Sequence, residues 1–158
     1  MNNCITPYQF YSEYHQNPIN KFIHFITIPL IVISTLSLVS TFQFKLSSVL
    51  CNFKQIEFKG DILLTIFYIF YYFTWHAPVN IIMFVYCLSM LYISRRNKQL
   101  NDYRISTDFI IFIIAWILQF AGHFFFEGNR PALFDSLSQA FLTAPVFSLD
   151  YILPKMFT

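Results

Sequence analysis

The chain of 158 residues is long enough for one domain, and it carries unusually little charge. Charged residues make up 11%, hydrophobic residues 56% and aromatic residues 21%; a small water-soluble domain could not bury so much apolar surface. The net charge of +2 argues against a nucleic acid partner. The lack of a GxxxxGK or GxGxxG loop argues against a nucleotide-binding enzyme. The composition therefore predicts an integral membrane protein, surrounded by lipid, with a single domain over residues 1–158.

Two charge-free runs indicate transmembrane helices. They cover residues 22–44 and 109–126, and about 20 helical residues are needed to cross the hydrocarbon core. We predict an all-α fold with two full transmembrane helices, at about residues 22–44 and 107–127. Asn17 and Pro18 have the residue types of an N-cap and a first helical position.

The middle run, residues 62–94, has two interpretations. Its 33 uncharged residues are too many for one upright span and few for two. One interpretation is a shallow, Pro-broken helical hairpin that turns at His76-Ala77-Pro78, and the other is a single tilted helix kinked at Pro78. We favour the hairpin because it lets the last span return to the face where the first span begins, so that His123 emerges on the same face as His15 and His24. The two basic loops then share a face, which the positive-inside rule makes cytoplasmic.

A shorter amphipathic pattern follows the last span. Apolar residues recur at helical spacing over about residues 131–144. Pro131 suits a first helical turn, whereas Pro145 interrupts the pattern. We predict an interfacial or re-entrant helix that is too short to span.

Ionisable side chains at one membrane face are the main indication of function. In the hairpin interpretation all four histidines lie toward the same face: His15, His24, His76 and His123. Such side chains are costly in a membrane, so they are usually functional or paired. Imidazole suits Zn, Cu, Fe and Ni, and histidines with a carboxylate and open positions suit Fe(II) oxygen chemistry. No thiolates cluster, and the HxxxH and HxxHH clusters of di-iron enzymes are absent, so a mononuclear centre is the limit.

An ordinary structural role is the alternative. A lone interfacial histidine more often forms hydrogen bonds than binds a metal, and we keep that interpretation for His76. Gln119, His123 and Glu127 form a polar stripe at i, i+4 and i+8. Gly122 beside this stripe would let another backbone come close. His123 and Glu127 could instead be a structural pair, with Arg130 as a salt-bridge partner of Glu127.

Two longer motifs resemble those of a known family. Residues 14–24 read YHQNPINKFIH, followed by Pro29, and residues 119–133 read QFAGHFFFEGNRPAL. They are similar to YHxNPxNxxIH…P and QFxGHxxFExxRPAL, the two signatures of the small membrane 2-hydroxy fatty acid dioxygenases. The similarity runs from about residue 11 to residue 147.

The resemblance implies an Fe(II)-dependent dioxygenase of fatty acid α-oxidation, which uses O2 to convert a 2-hydroxy fatty acid to the acid one carbon shorter. It also implies that His15, His24 and His123 are iron ligands and that Glu127 is a further ligand or an acid/base group. Arg130, one turn from His123 and Glu127, is then a candidate clamp for the substrate carboxylate. The expected location is the endoplasmic reticulum in a eukaryote or the inner membrane in a bacterium.

Two other classes of protein remain open from the sequence. A metal-ion or proton carrier would place its histidines and carboxylate at the bilayer midplane, along a path. A non-catalytic membrane scaffold would need no metal. Metal analysis separates the scaffold from the enzyme, and product analysis with a 2-hydroxy fatty acid separates the carrier.

Overall fold

The structure, a computed structural model, describes residues 7–47, 55–100, 103–131, 133 and 135–153. The chain divides into two compact units. The first combines Met1–Val32 with Ile111–Thr158, and the second is Ile33–Ile110. The single domain over residues 1–158 stays a prediction.

The first long helix begins earlier and ends earlier than predicted. A short helix, α1 (Pro7–Glu13), precedes α2 (Pro18–Val39). Pro18 is the first helical residue, and the Asn17 side chain accepts the Ile19 N–H at 2.9 Å, as the Asn-Pro pair predicts. The predicted end at residue 44 was wrong, because a run without charges measures hydropathy and does not detect where helical hydrogen bonding stops.

A β-hairpin that the sequence did not predict follows α2. Strands β1 (Gln43–Ser47) and β2 (Gln55–Lys59) pair antiparallel, with Lys45 opposite Glu57. Lys45 Nζ lies 3.2 Å from Glu57 Oε1, and both side chains are exposed. The prediction treated this segment as a basic loop, since five-residue strands give too short an alternation to stand out.

The middle run is a helical hairpin, so the single kinked helix is wrong. Helices α3 (Gly60–Phe73) and α4 (Val79–Lys98) flank a turn that contains a cis peptide bond before Pro78. Arg95, in the last turn of α4, donates to both oxygens of Asp61, in the first turn of α3, at 2.8 and 3.2 Å. The ends of the hairpin are therefore side by side, and the two helices are antiparallel.

The last long helix returns alongside α2 within the first unit. Helix α5 (Ile105–Gly122) continues into a π-helical turn, His123–Glu127, that ends at Gly128 in the left-handed conformation. Gln119 donates to Thr27 at 3.1 Å, and the His123 ring lies 5.0 Å from the His24 ring. Residue numbers rise along one helix as they fall along the other, so α5 runs antiparallel to α2.

The C-terminal helix lies later in the chain than the predicted residues 131–144. Helix α6 runs over Leu137–Asp150 and passes through Pro145. The expected start at Pro131 was wrong, since Pro131 and Asp135 lie outside the helix and Asp135 instead pairs with Arg130 at 2.5 Å. Val146 and Phe147 are almost fully buried, and their burial offsets the backbone hydrogen bond that Pro145 cannot donate. Its interfacial position stays a prediction.

Among the described residues, three helices are long and apolar enough to cross a membrane: Pro18–Val39, Val79–Lys98 and Ile105–Glu127. The all-α membrane class is therefore confirmed, with the β-hairpin as a small addition. Helix α4 is longer than the shallow arm that we predicted. The charge-free run ended before Arg95, whereas α4 continues to Lys98, because basic side chains are compatible with the last turn of a helix.

Candidate metal centre

His15 lies in the short connection between α1 and α2, and its ring is fixed by the end of α1. The side chain is 1% exposed, and Nδ1 lies 2.8 Å from the Tyr11 carbonyl oxygen. A carbonyl only accepts hydrogen bonds, so Nδ1 carries the proton and Nε2 presents a lone pair. The Tyr11 ring stacks on the imidazole with centroids 4.3 Å apart.

His24 lies in the second turn of α2 and is held in the same way. It is 1% exposed, and Nδ1 lies 2.9 Å from the carbonyl oxygen of Asn20, four residues earlier. Its Nε2 is therefore also unprotonated. Metal-binding histidines commonly donate their second nitrogen to a backbone carbonyl, which fixes the tautomer and the ring orientation.

His123 is the first residue of the π-helical turn. It is 2% exposed, and its Nδ1 is buried without a hydrogen-bond partner among the described residues. Gly128 N–H bonds to the His123 carbonyl at 3.0 Å, which closes the wider turn. Such π-bulges often occur at functional sites because they shift the direction of the side chains around them.

The three histidines converge on one point within the first unit. Each offers one ligand nitrogen, and these atoms all lie within 4.8 Å of one another. The Nε2 atoms of His15 and His24 are 3.1 Å apart, while two nitrogens about 2.1 Å from one ion at a right angle would be about 3 Å apart. A shared cation would relieve the repulsion between the two lone pairs and could give His123 Nδ1 a partner. The three residues therefore fit a metal ion.

The surroundings of the triad are aromatic and keep it uncharged. The Phe147 ring of α6 lies 4.7 Å from the His15 ring. Burial, followed by the nearby His24 and His123, holds the pKa of His15 well below its ordinary value. His15 is thus a neutral imidazole at pH 7, which is the form that binds a metal.

Glu127 does not belong to the three converging groups. Its Oε1 accepts the Asn17 N–H and an Asn20 side-chain N–H, both at 3.0 Å. Asn20 also holds His24 through its carbonyl, so Glu127 ties the π-helical turn to the start of α2. Gly122 makes room for this link, because an added Cβ would lie 2.5 Å from Asn20 Oδ1. The sequence predicted a close backbone at Gly122, whereas the nearest atoms belong to the side chains of Asn20 and Ile23.

Arg130 and His76 are exposed, unlike the three histidines of the triad. Arg130 is exposed and pairs with Asp135, which also accepts a hydrogen bond from Tyr14 at 3.0 Å. The alternative pairing of Arg130 with Glu127 does not occur. His76 is an exposed residue in the turn of the helical hairpin, in the second unit, and its exclusion from the site stays a prediction.

The sequence analysis missed the residues that support the triad from α6 and from the backbone. Phe147 lies at the end of the stretch that resembles the family, but the sequence did not single it out as part of the site. The carbonyls of Tyr11 and Asn20 could have been found, since each lies four residues before a histidine and is within reach of its Nδ1 at that spacing.

Apolar spanning helices around a buried three-histidine cluster define a membrane protein with a candidate metal centre. Residues 1–156 match the family described as 2-hydroxy-palmitic acid dioxygenase Mpo1-like. The chain is 35% identical over 155 residues to 2-hydroxy-palmitic acid dioxygenase MPO1 of Saccharomyces cerevisiae, an alignment that covers 93% of this chain and 78% of that protein. No solved structure matches. The chain belongs to the Mpo1-like family.

Proposed function

We propose that this membrane protein is an Fe(II)-dependent dioxygenase that shortens 2-hydroxy fatty acids by one carbon, with O2 as the co-substrate. The observation that carries the proposal is the convergence of three buried histidine nitrogens. The family supports the reaction, because the yeast relative is a 2-hydroxy-palmitic acid dioxygenase. The compartment, either the endoplasmic reticulum or a bacterial inner membrane, depends on the host cell.

In this proposal His15, His24 and His123 hold the iron. Neutral imidazole ligands would not offset the charge of an Fe(II) ion. The ion would therefore attract an anionic carboxylate substrate. Three protein ligands also leave coordination positions open, which suits non-haem iron oxygen chemistry. When bound, the iron supplies the one-electron chemistry by which dioxygen reacts with an organic acid.

The remaining residues of the site position and protect it. The carbonyls of Tyr11 and Asn20 hold the protons of His15 and His24 on Nδ1, away from the centre. The rings of Tyr11 and Phe147 cover His15 and exclude water. Glu127 holds the π-helical turn against α2. We infer that it keeps His123 in position, a role that replaces the ligand or acid/base role suggested by the resemblance.

The test is anaerobic purification, iron quantification and measurement of oxygen uptake with 2-hydroxypalmitate. We expect one iron per chain, oxygen consumption that depends on the hydroxy acid, and pentadecanoic acid as the product. Palmitate without the hydroxyl group is the substrate control and should consume no oxygen. A protein that binds no transition metal, or that gives no shortened acid with iron bound, would contradict the proposal.

A further inference from the structure

The first unit has few positive charges with which to receive an anionic substrate. Among its described residues only Lys21 and Arg130 carry a permanently cationic side chain. Arg130 is exposed and forms an ion pair with Asp135 at 2.5 Å, which neutralises its charge within the loop before α6. Lys21 is the remaining candidate.

Lys21 lies close to the triad on the helix that carries His24. The two residues are three apart on α2, so they share a face. The Lys21 ammonium lies over the Phe147 ring, 5.6 Å from its centroid, and the same ring packs against His15 at 4.7 Å. The ammonium is therefore within electrostatic reach of the metal centre.

The ammonium of Lys21 is held loosely. Among the described residues, its one ion pair is with Asp150 of α6, at a long 3.4 Å. Asp150 is buried and receives a much shorter hydrogen bond from Tyr8, at 2.5 Å. An ammonium has three donors, and the Lys21 side chain is 31% exposed whereas that of Asp150 is 5% exposed. Asp150 is thus fixed, while Lys21 has donors left for a second anion.

We propose that Lys21 recognises the carboxylate of the fatty acid and that Asp150 holds its ammonium in place until the substrate binds. This inference rests on the proposed function, since it takes the 2-hydroxy acid as the ligand. It assigns to Lys21 the clamp role that the sequence suggested for Arg130. The acid is then held at its charged end by Lys21, beside the three histidines.

The experiment measures equilibrium binding of two ligands to the iron-loaded protein without oxygen, so that no turnover occurs. The ligands are 2-hydroxypalmitate and its uncharged primary amide, 2-hydroxypalmitamide. We expect wild type to prefer the acid. Lys21→Met should weaken binding of the acid about tenfold or more, the effect of losing one charged hydrogen bond, and leave binding of the amide unchanged. Lys21→Arg should keep the preference.

The variant Asp150→Asn distinguishes recognition of the substrate by Lys21 from a purely structural ion pair between Lys21 and Asp150. It removes the anion that competes for Lys21, so the acid should bind at least as tightly as it binds to wild type. A structural pair would instead make Asp150→Asn and Lys21→Met equally harmful to both ligands, and that result would overturn the inference. Should Lys21→Met fail to fold, Lys21→Arg and Asp150→Asn carry the same test.

The control variant is Lys45→Met, which removes an exposed, ion-paired lysine of the β-hairpin and should leave both affinities unchanged. Suppose that wild type turns over 2-hydroxypalmitate and that Lys21→Met still prefers the acid to the amide. That result would overturn the role of Lys21 but leave the proposed function standing. A wild type that neither binds the acid nor consumes oxygen with it would overturn the proposed function, and this inference with it.

Discussion

The Nε2 atoms of His15 and His24 face each other at 3.1 Å, although neither carries a proton. Each ring has its proton on Nδ1, where a backbone carbonyl accepts it. Burial disfavours a second proton on His15. The two lone pairs therefore repel each other unless a cation lies between them, so these two nitrogens could help to hold a metal ion.

Replacing a histidine of the triad should remove the metal. His24→Ala leaves two histidines, which are too few to hold a labile Fe(II) ion, and we expect iron occupancy and oxygen uptake to fall to background. The measurements are iron per chain after purification and the rate with 2-hydroxypalmitate. His76→Ala is the matched control and should keep both, because His76 is an exposed residue of the hairpin turn. Full activity in His24→Ala would contradict the assignment.

Two substitutions at Glu127 distinguish positioning from chemistry. Glu127→Gln keeps an oxygen that can accept from Asn17 and Asn20, so we expect most of the iron and activity to remain. Glu127→Ala removes the acceptor and should lower metal affinity or activity by about 10- to 100-fold, as is typical for residues that support metal ligands. If Glu127 were a ligand or a proton carrier, the two variants would be equally inactive.

Alanine substitutions at Gly122 and Gly128 test whether the close contact between Gly122 and Asn20 supports the site. Gly122→Ala places a Cβ 2.5 Å from Asn20 Oδ1, and we expect a loss of about 1–3 kcal/mol in stability together with weaker iron binding. Gly128→Ala meets no atom within 4 Å but has a φ of 65°, so it should cost about 1–2 kcal/mol. Thermal unfolding and iron titration measure both. Equal iron affinity in both variants would show that Asn20 does not support the site.

The Arg95–Asp61 ion pair at the open end of the helical hairpin should contribute more to stability than the Lys45–Glu57 pair on the β-hairpin. Arg95→Met leaves the Asp61 carboxylate, 2% exposed, without its partner, and we expect a loss of about 3 kcal/mol. Adding Asp61→Asn should recover part of that loss. Lys45→Met removes an exposed pair and should cost less than about 1 kcal/mol. Similar losses for Arg95→Met and Lys45→Met would contradict this ranking.

The antiparallel hairpin predicts which positions label from the same side of a sealed vesicle. Single cysteines at Asn52 and Asn97, in a chain without its three native cysteines, should react with an impermeant reagent from one side. A cysteine at Asn3 should react from the other. Asn3 and Asn52 lie outside the described residues. Opposite-side labelling of Asn52 and Asn97 would mean that the middle run crosses once, which the antiparallel pairing of α3 and α4 forbids.

The spanning helices were predictable because a long apolar run is local information. The three histidines that converge were predictable because they lie in two recognisable motifs. A long apolar run is helical in lipid whatever its neighbours are, and Asn17-Pro18 marked the start of α2. The hairpin at Pro78 was also predicted correctly, through the requirement that His123 return to His24. Element ends were less predictable. Helix α6 extends past Pro145 because Val146 and Phe147 are buried, which is a tertiary effect.

The sequence by itself determined the solvent, the helical class and the residue types able to bind a metal, because composition and motif spacing are properties of the linear chain. Only the tertiary structure decided the roles around the triad. Glu127 joins Asn20 instead of the histidines, Arg130 is neutralised by Asp135, and Lys21 lies beside the ring that covers His15. Charges that lie within a few residues of a histidine look equivalent in a sequence, but the π-helical turn and the packing of α6 decide which side chains each of them contacts.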